Sequence, residues 1–281
     1  MLKRTRQLPA LLGLLLLAAC AGLPRPGASP AALALPTRAA PETAAAAGPL
    51  DPLPWQALAP GLALWQGEPG LHALRVDLRQ RRLRLTPFDE RGRPLDAFAG
   101  AHEALAALNA SFFDRSFRAR GLSSSEGEPW PEPLAAQDSP LLACDAAQVC
   151  RLQLDPPYAL PPGTRLAVAG TPWLLRAGRP RQTDDDARCE AFCARPHPRT
   201  ALGLSADGGT LYLLLAEGRR AGVPGLSLAA TAAQLRRLGA HEGFNLDGGG
   251  SSALLLQGRS VMRRPDSEPA LRRLANALLV Q

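Results

Sequence analysis

The chain is expected to fold as one α+β domain with a large mixed β-sheet and a few packed helices. Three observations predict this. Ten segments of strand length carry alternating or continuous apolar residues, whereas only residues 95–103 and 228–238 show a helical period. The stretch after residue 54, about 230 residues, contains no second linker that would divide it.

Residues 1–19 join a basic start (Lys3, Arg4, Arg6) to an apolar run and end in Leu17-Ala18-Ala19 before Cys20. This tripartite form reads as an export signal, too short to span a bilayer. Its ending resembles a bacterial lipobox. That resemblance implies an envelope lipoprotein anchored through Cys20, at the periplasmic or outer-membrane face; an ordinary signal peptide cut nearby is the alternative. Residues 20–54 are rich in Ala and Pro, lack a period and read as a disordered tether, so the domain spans 55–281.

Strands are expected at 62–65, 71–78, 83–88, 104–110, 164–169, 200–204, 210–216, 243–247, 252–257 and 276–280. Leu74, Val76 and Leu78, then Leu83 and Leu85, alternate as a hairpin would, with Arg79, Arg81, Arg82 and Arg84 on its solvated face. The turn Ala206-Asp207-Gly208-Gly209 folds 200–216 into a second hairpin. Ser227 and Gly239 bracket the helix 228–238 as N-cap and stop.

Composition narrows the function. Three of the positive charges behind the net +7 lie in the leader, and Lys3 is the sole lysine. Aromatic residues make up 5%, so the interleaved basic and aromatic surface that nucleic acid requires is missing. Neither a Gly-x-x-x-x-Gly-Lys nor a Gly-x-Gly-x-x-Gly phosphate loop occurs, and no Gly-x-Ser-x-Gly elbow supports a serine hydrolase built on Ser123, Ser124 or Ser251.

Beyond Cys20 there are four cysteines. In an exported protein the close spacings favour the disulfides Cys144–Cys150 and Cys189–Cys193, although three pairings are formally possible and a four-cysteine zinc site is the rival. His72, His102, His197 and His241 show no metal-ligand spacing, so no metal site is expected.

The most informative segment is Asn245-Leu246-Asp247-Gly248-Gly249-Gly250-Ser251-Ser252. It sets one carboxylate at a strand end, followed by three residues that let the backbone turn tightly and approach a ligand. Four other segments share its character: Asn109-Ala110-Ser111-Phe112-Phe113-Asp114, Pro198-Arg199-Thr200-Ala201-Leu202-Gly203, Leu213-Leu214-Leu215-Ala216-Glu217-Gly218-Arg219 and Leu274-Ala275-Asn276-Ala277-Leu278. Together, in this order, the five resemble the phosphodiester glycosidase family across roughly residues 70–281. Two departures stand out. Ala110-Ser111 replaces the usual glycine pair, and Glu217 stands where the family more often has Asp.

The resemblance implies hydrolysis of the bond between a sugar and a phosphate diester, through a transition state with positive charge on the ring. The phosphate departs as a stable anion, so a general acid matters less than a carboxylate beside the ring and a cation on the phosphate. Asp247 is the first candidate for the carboxylate, Glu217 the second. Arg199 is the candidate phosphate ligand, its guanidinium fork matching two oxygens. Gly248, Gly249 and Gly250 with Ser251 and Ser252 would supply further donors to an anion. Asn109, Thr200 and Asn276 would bind the sugar, with Phe112 as an apolar wall. The plain rivals are a Glu217 carboxylate paired with Arg219 in a turn and a Phe112 ring in the core. No cofactor is expected, and a substrate-bridging cation such as calcium stays open. The competing function is a polysaccharide-binding surface lipoprotein of the same fold that does not cleave its ligand.

Overall fold

A computed structural model describes residues 53–67, 70–186 and 189–281; the leader, Cys20 and nearly all of the expected tether lie outside them. Alternation builds the largest sheet. Leu62 and Leu64 of the strand Leu62–Gly67, Leu74 and Val76 of Leu71–Asp77, and Leu211, Leu213 and Leu215 of Thr210–Ala216 enter one core. Trp65, Ala73, Leu214 and Ala216, of opposite parity on the same strands, enter another. Strands covered on both faces need nearly continuous apolar sequence, which these have. With Gln56–Ala59, Arg199–Leu204, Glu242–Asn245, Trp173–Arg176 and Arg179–Pro180 they form an eight-stranded sheet.

The helix Leu228–Leu238 covers the second face through Leu228, Thr231, Ala232, Leu235 and Leu238, spaced at the helical period. Each buried leucine here is worth about 1.5–3 kcal/mol. Ser227 Oγ accepts the Ala230 N–H at 3.1 Å, and Gly239, at φ 111°, makes the left-handed stop.

Two five-stranded sheets close the first core. One contains Leu141–Cys144, Cys150–Gln153 and Leu166–Ala169; the other contains Leu83–Leu85, Ala106–Asn109, Leu254–Leu256 and Ala277–Val280. Leu142, Leu166 and Val168 of the former meet Leu83, Leu85, Leu108, Leu254 and Leu278 of the latter against the large sheet. The helix Leu95–Ala101, ending short of the expected 103, packs Leu95, Phe98 and Ala99 on the outer face of the latter sheet. Residues Pro49–Gln281 group as one compact unit.

Two expectations are corrected. The strand pairings in all these sheets are antiparallel, so the sheet is not mixed. Parallel neighbours need long, usually helical crossovers, and the chain has few helices to make them. Nor do residues 74–85 form a hairpin. After Asp77 the chain leaves the large sheet, and Leu83–Leu85 pairs with Ala277–Val280 in another. An alternating pattern fixes which side chains face inward and leaves the partner strand open.

Both disulfides of the favoured pairing are present. Cys144 and Cys150 are register partners across their hairpin, and Cys189–Cys193 closes the short helix Glu190–Cys193. Asp186 lies close to the second bridge, but its Oδ1 receives Arg181 Nε at 2.5 Å and the two sulfurs are bonded to each other.

Candidate active site

The motif residues stand at strand ends. Asn109 ends Ala106–Asn109, Arg199 opens Arg199–Leu204, Glu217 follows Thr210–Ala216, Asp247 follows Glu242–Asn245, and Asn276 precedes Ala277–Val280. These strands belong to two sheets, so the residues gather at a seam where residues 246–253 cross from one sheet to the other, and not along a single edge. The main chain ties the seam together. Leu246 N–H donates to Thr200 O at 2.8 Å, Asp247 N–H to Ala110 O at 3.0 Å and Gly249 N–H to Pro198 O at 2.9 Å.

Asn109 is the node beneath it. Its Nδ2 donates to Asp247 O at 2.6 Å, while its Oδ1 accepts the Thr200 hydroxyl at 2.9 Å and the Ala253 N–H at 3.2 Å. The Thr200 hydroxyl also lies 3.4 Å from Ser252 Oγ. Asn276 does the same for the neighbouring loop, accepting the Ser111 N–H at 2.9 Å and donating to Ser111 Oγ at 3.2 Å. All four of Asn109, Thr200, Ser252 and Asn276 are buried, the first three bonded through Thr200 and Asn276 turned to Ser111. The sequence assigned Asn109, Thr200 and Asn276 to sugar and Ser252 to an anion; the structure shows them holding the loops that carry Asp247 and Phe112. Ser111 in the place of a family glycine supplies the hydroxyl that Asn276 grips.

Asp247 is partly buried. Burial raises its pKa from 3.8 to about 6, against the opposing pull of the Ser251 hydroxyl, the Gly248 N–H and the Arg272 charge. The Gly248 bond is 2.9 Å long, to Oδ1. The glycines after it are bare for a reason. Gly249 sits at φ 63°, and a Cβ there would stand 3.2 Å from both terminal nitrogens of Arg219. A Cβ on Gly250 would collide with Arg272 and with Glu268, which are ion-paired to each other.

Arg199 and Glu217 are differently engaged. Arg199, 1% exposed, donates through Nε to Leu226 O at 3.0 Å and through Nη2 to Phe192 O at 2.5 Å and Arg195 O at 3.1 Å. Burial, then the charge of Arg219, lowers its pKa to about 10. A guanidinium committed to three carbonyls has few donors left for a phosphate. Glu217, also buried, accepts from His72 Nε2 at 3.1 Å and from the Arg263 N–H at 2.7 Å, and pairs with Arg220, not with Arg219 as its turn reading supposed.

The cations that do reach the Asp247 loop are Arg219 and Arg272. Arg219 was visible in the Glu-Gly-Arg segment. Arg272, just before the Leu274-Ala275-Asn276 segment, carried no signal of its own beyond that proximity. His197 bonds Arg219 Nη2 through Nδ1 at 3.3 Å, and burial followed by Arg199 and Arg219 lowers its pKa. Phe112 is partly buried, edge-on to Phe192 with ring centres 6.2 Å apart.

Roomier clefts lie elsewhere. One of about 550 Å³ is lined by Arg151, Asp207, His241 and Glu242, and one of about 460 Å³ by Arg75, Asp77 and Tyr212. Neither includes a motif residue, so the site is assigned on the side-chain geometry at the seam and not on volume.

Comparison with solved structures places the fold among known ones. A hypothetical protein from Synechocystis matches over 83% of this chain at 18% identity and a TM-score of 0.60, this chain spanning 64% of that one. The zebrafish N-acetylglucosamine-1-phosphodiester alpha-N-acetylglucosaminidase catalytic domain, auto-inhibited by its pro-peptide, matches over 78% at 19% identity and 0.59, covering 77% of that chain. A Burkholderia pseudomallei protein described as exported matches over 78% at 17% identity and 0.59, covering 74% of that chain. No curated protein matches the sequence. The family model for phosphodiester glycosidases matches residues 102–281, which hold all five motif segments, and the chain therefore belongs to the phosphodiester glycosidase family.

Proposed function

We propose that the chain hydrolyses the glycosidic bond of a sugar-1-phosphodiester or a related envelope glycoside. One observation carries this reading: the Asp247 carboxylate lies at the seam with the Arg219 guanidinium against Gly249 and the Arg272 guanidinium against Gly250. With a pKa near 6, Asp247 is ionised at neutral pH yet basic enough to take a proton from water or to face a cationic ring. Arg219 and Arg272 take the role the sequence gave to Arg199, holding the departing phosphate by charge-assisted hydrogen bonds. The step uses water: its oxygen bonds to the anomeric carbon, one of its protons passes to Asp247, and the C–O bond to phosphate breaks with the electron pair staying on the phosphate oxygen, which leaves as a phosphate monoester. Because that anion is already stable, the engagement of Glu217 with His72, Arg220 and Arg263 does not deprive the reaction of an essential acid.

The activity named for the zebrafish relative supports a sugar-1-phosphodiester substrate, and the leader supports an exported protein lipid-anchored at Cys20 in the bacterial envelope. Proton NMR of the first sugar released from a panel of sugar phosphodiesters tests the activity and reads the anomeric outcome together. Glycan binding without any released sugar would favour the binding lipoprotein instead. Metabolic labelling with a fatty acid, lost on Cys20→Ala, tests the anchor.

A further inference from the structure

Phe192 is 39% exposed, one of three large apolar side chains so exposed among the described residues. Yet its position is closely fixed. The Cys189–Cys193 bridge spans it in sequence, and Arg199 Nη2 holds its carbonyl and that of Arg195. The Arg199 guanidinium also lies over its ring, 4.7 Å from the centre, and Phe112 meets it at 66°. A ring that is covered on one face by a buried cation and immobilised at its backbone presents what remains of its surface to water at a defined angle.

Two connections tie this ring to the Asp247 loop. Phe112 follows closely on Ala110, whose carbonyl receives the Asp247 N–H. On the other side, the His197 side chain faces the main chain of Ala191 and bonds the Arg219 that rests on Gly249. The turn bearing Phe192 is thus a wall of the same seam.

We propose that Phe192, with Phe112, forms the platform on which the sugar ring of the substrate rests, and that Arg199 is the residue that positions it. A pyranose has a face of C–H groups that packs on an aromatic ring while its hydroxyls point away to polar partners. This assignment rests on the hydrolytic reading above and gives it a sugar side: Arg219 and Arg272 hold the phosphate, and the two phenylalanines hold the ring. It also accounts for a buried arginine bonded to carbonyls beside an exposed aromatic.

The test uses the full chain with both disulfides formed. Wild type, Phe192→Ala and Phe192→Tyr are titrated calorimetrically with glucose 1-phosphate, N-acetylglucosamine 1-phosphate and inorganic phosphate, and assayed on the corresponding phosphodiesters. Phe192→Ala should weaken binding of the preferred sugar phosphate about tenfold, the loss expected for uncovering one aromatic face. It should leave inorganic phosphate within about twofold and raise KM with little change in kcat, and Phe192→Tyr should restore both. If wild type cleaves phosphodiesters and Phe192→Ala binds sugar phosphates equally well, or loses sugar phosphate and inorganic phosphate alike, the platform is overturned and the hydrolytic reading stands. If sugar phosphate binding depends on Phe192 but no phosphodiester is cleaved, the platform stands and the hydrolytic reading falls. A wild type that neither binds nor cleaves removes both.

Discussion

Replacing Asp247 by Asn should make the protein inactive and, at neutral pH, more stable. Asn keeps the shape and can still accept the Gly248 N–H, but it carries no charge to desolvate. In the folded chain the carboxyl titrates at about 6 in place of 3.8, so folding favours its protonated form. The extra stability that this raised pKa represents is complete below pH 3.8 and is lost as pH rises through 6. At about 1.36 kcal/mol per pH unit, the ionised group costs wild type roughly 3 kcal/mol at neutral pH, of which about 2.4 develops between pH 4 and 7.5. Urea unfolding of wild type and Asp247→Asn at those two pH values should therefore show the variant gaining about 2.4 kcal/mol relative to wild type, whatever the packing difference between the two side chains. Turnover should be lost at both, and the acid limb of wild-type kcat/KM should fall near pH 6. A stability difference independent of pH would refute the raised pKa, and retained turnover would remove Asp247 from the chemistry.

Three further outcomes follow from the seam. Arg219→Ala and Arg272→Ala should each raise KM for a phosphodiester by about tenfold or more, the loss expected for one charged hydrogen bond, with little effect on a neutral aryl glycoside; steady-state kinetics on both substrates decide this. Asn109→Ala should lower stability by about 3 kcal/mol in chemical denaturation, because it strands the Thr200 hydroxyl, the Ala253 N–H and the Asp247 carbonyl in a buried place. Glu217→Gln should lower the melting temperature and leave most of kcat, since its partners are His72, Arg220 and Arg263; a stable variant with abolished turnover would instead make Glu217 part of the chemistry.

Much of the scaffold was legible in the sequence because it depends on local pattern. The ten expected strands, the capped helix after Ser227 and both disulfides all have counterparts in the structure. What failed was partnership. Leu83 and Leu85 alternate as expected, but their partner comes from residues 277–280, and nothing local specifies that. The sequence pattern marks no strand at Leu141–Cys144, Cys150–Gln153 or Trp173–Arg176. The site divides in the same way. Residue type singled out both Asp247 and Arg199, and only the fold reveals that one lies beside the guanidinium groups of Arg219 and Arg272 and the other is surrounded by carbonyls from Phe192, Arg195 and Leu226. Arg272 escaped notice because its meaning lies in the Gly250 backbone, which comes beside it only in three dimensions.

The strand Ala277–Val280 lies between Leu83–Leu85 and Ala106–Asn109, and the Asn276 just before it fastens Ser111. A nascent chain synthesised through Ser260 already contains the other strands of that sheet and of the large one, but it still has a gap between Leu83–Leu85 and Ala106–Asn109, and its Phe112 loop lacks the Asn276 tie. Competence should then appear abruptly, when that late segment docks, and a ribosome-stalled or proteolytically clipped form lacking it should be inert even if most of its secondary structure survives.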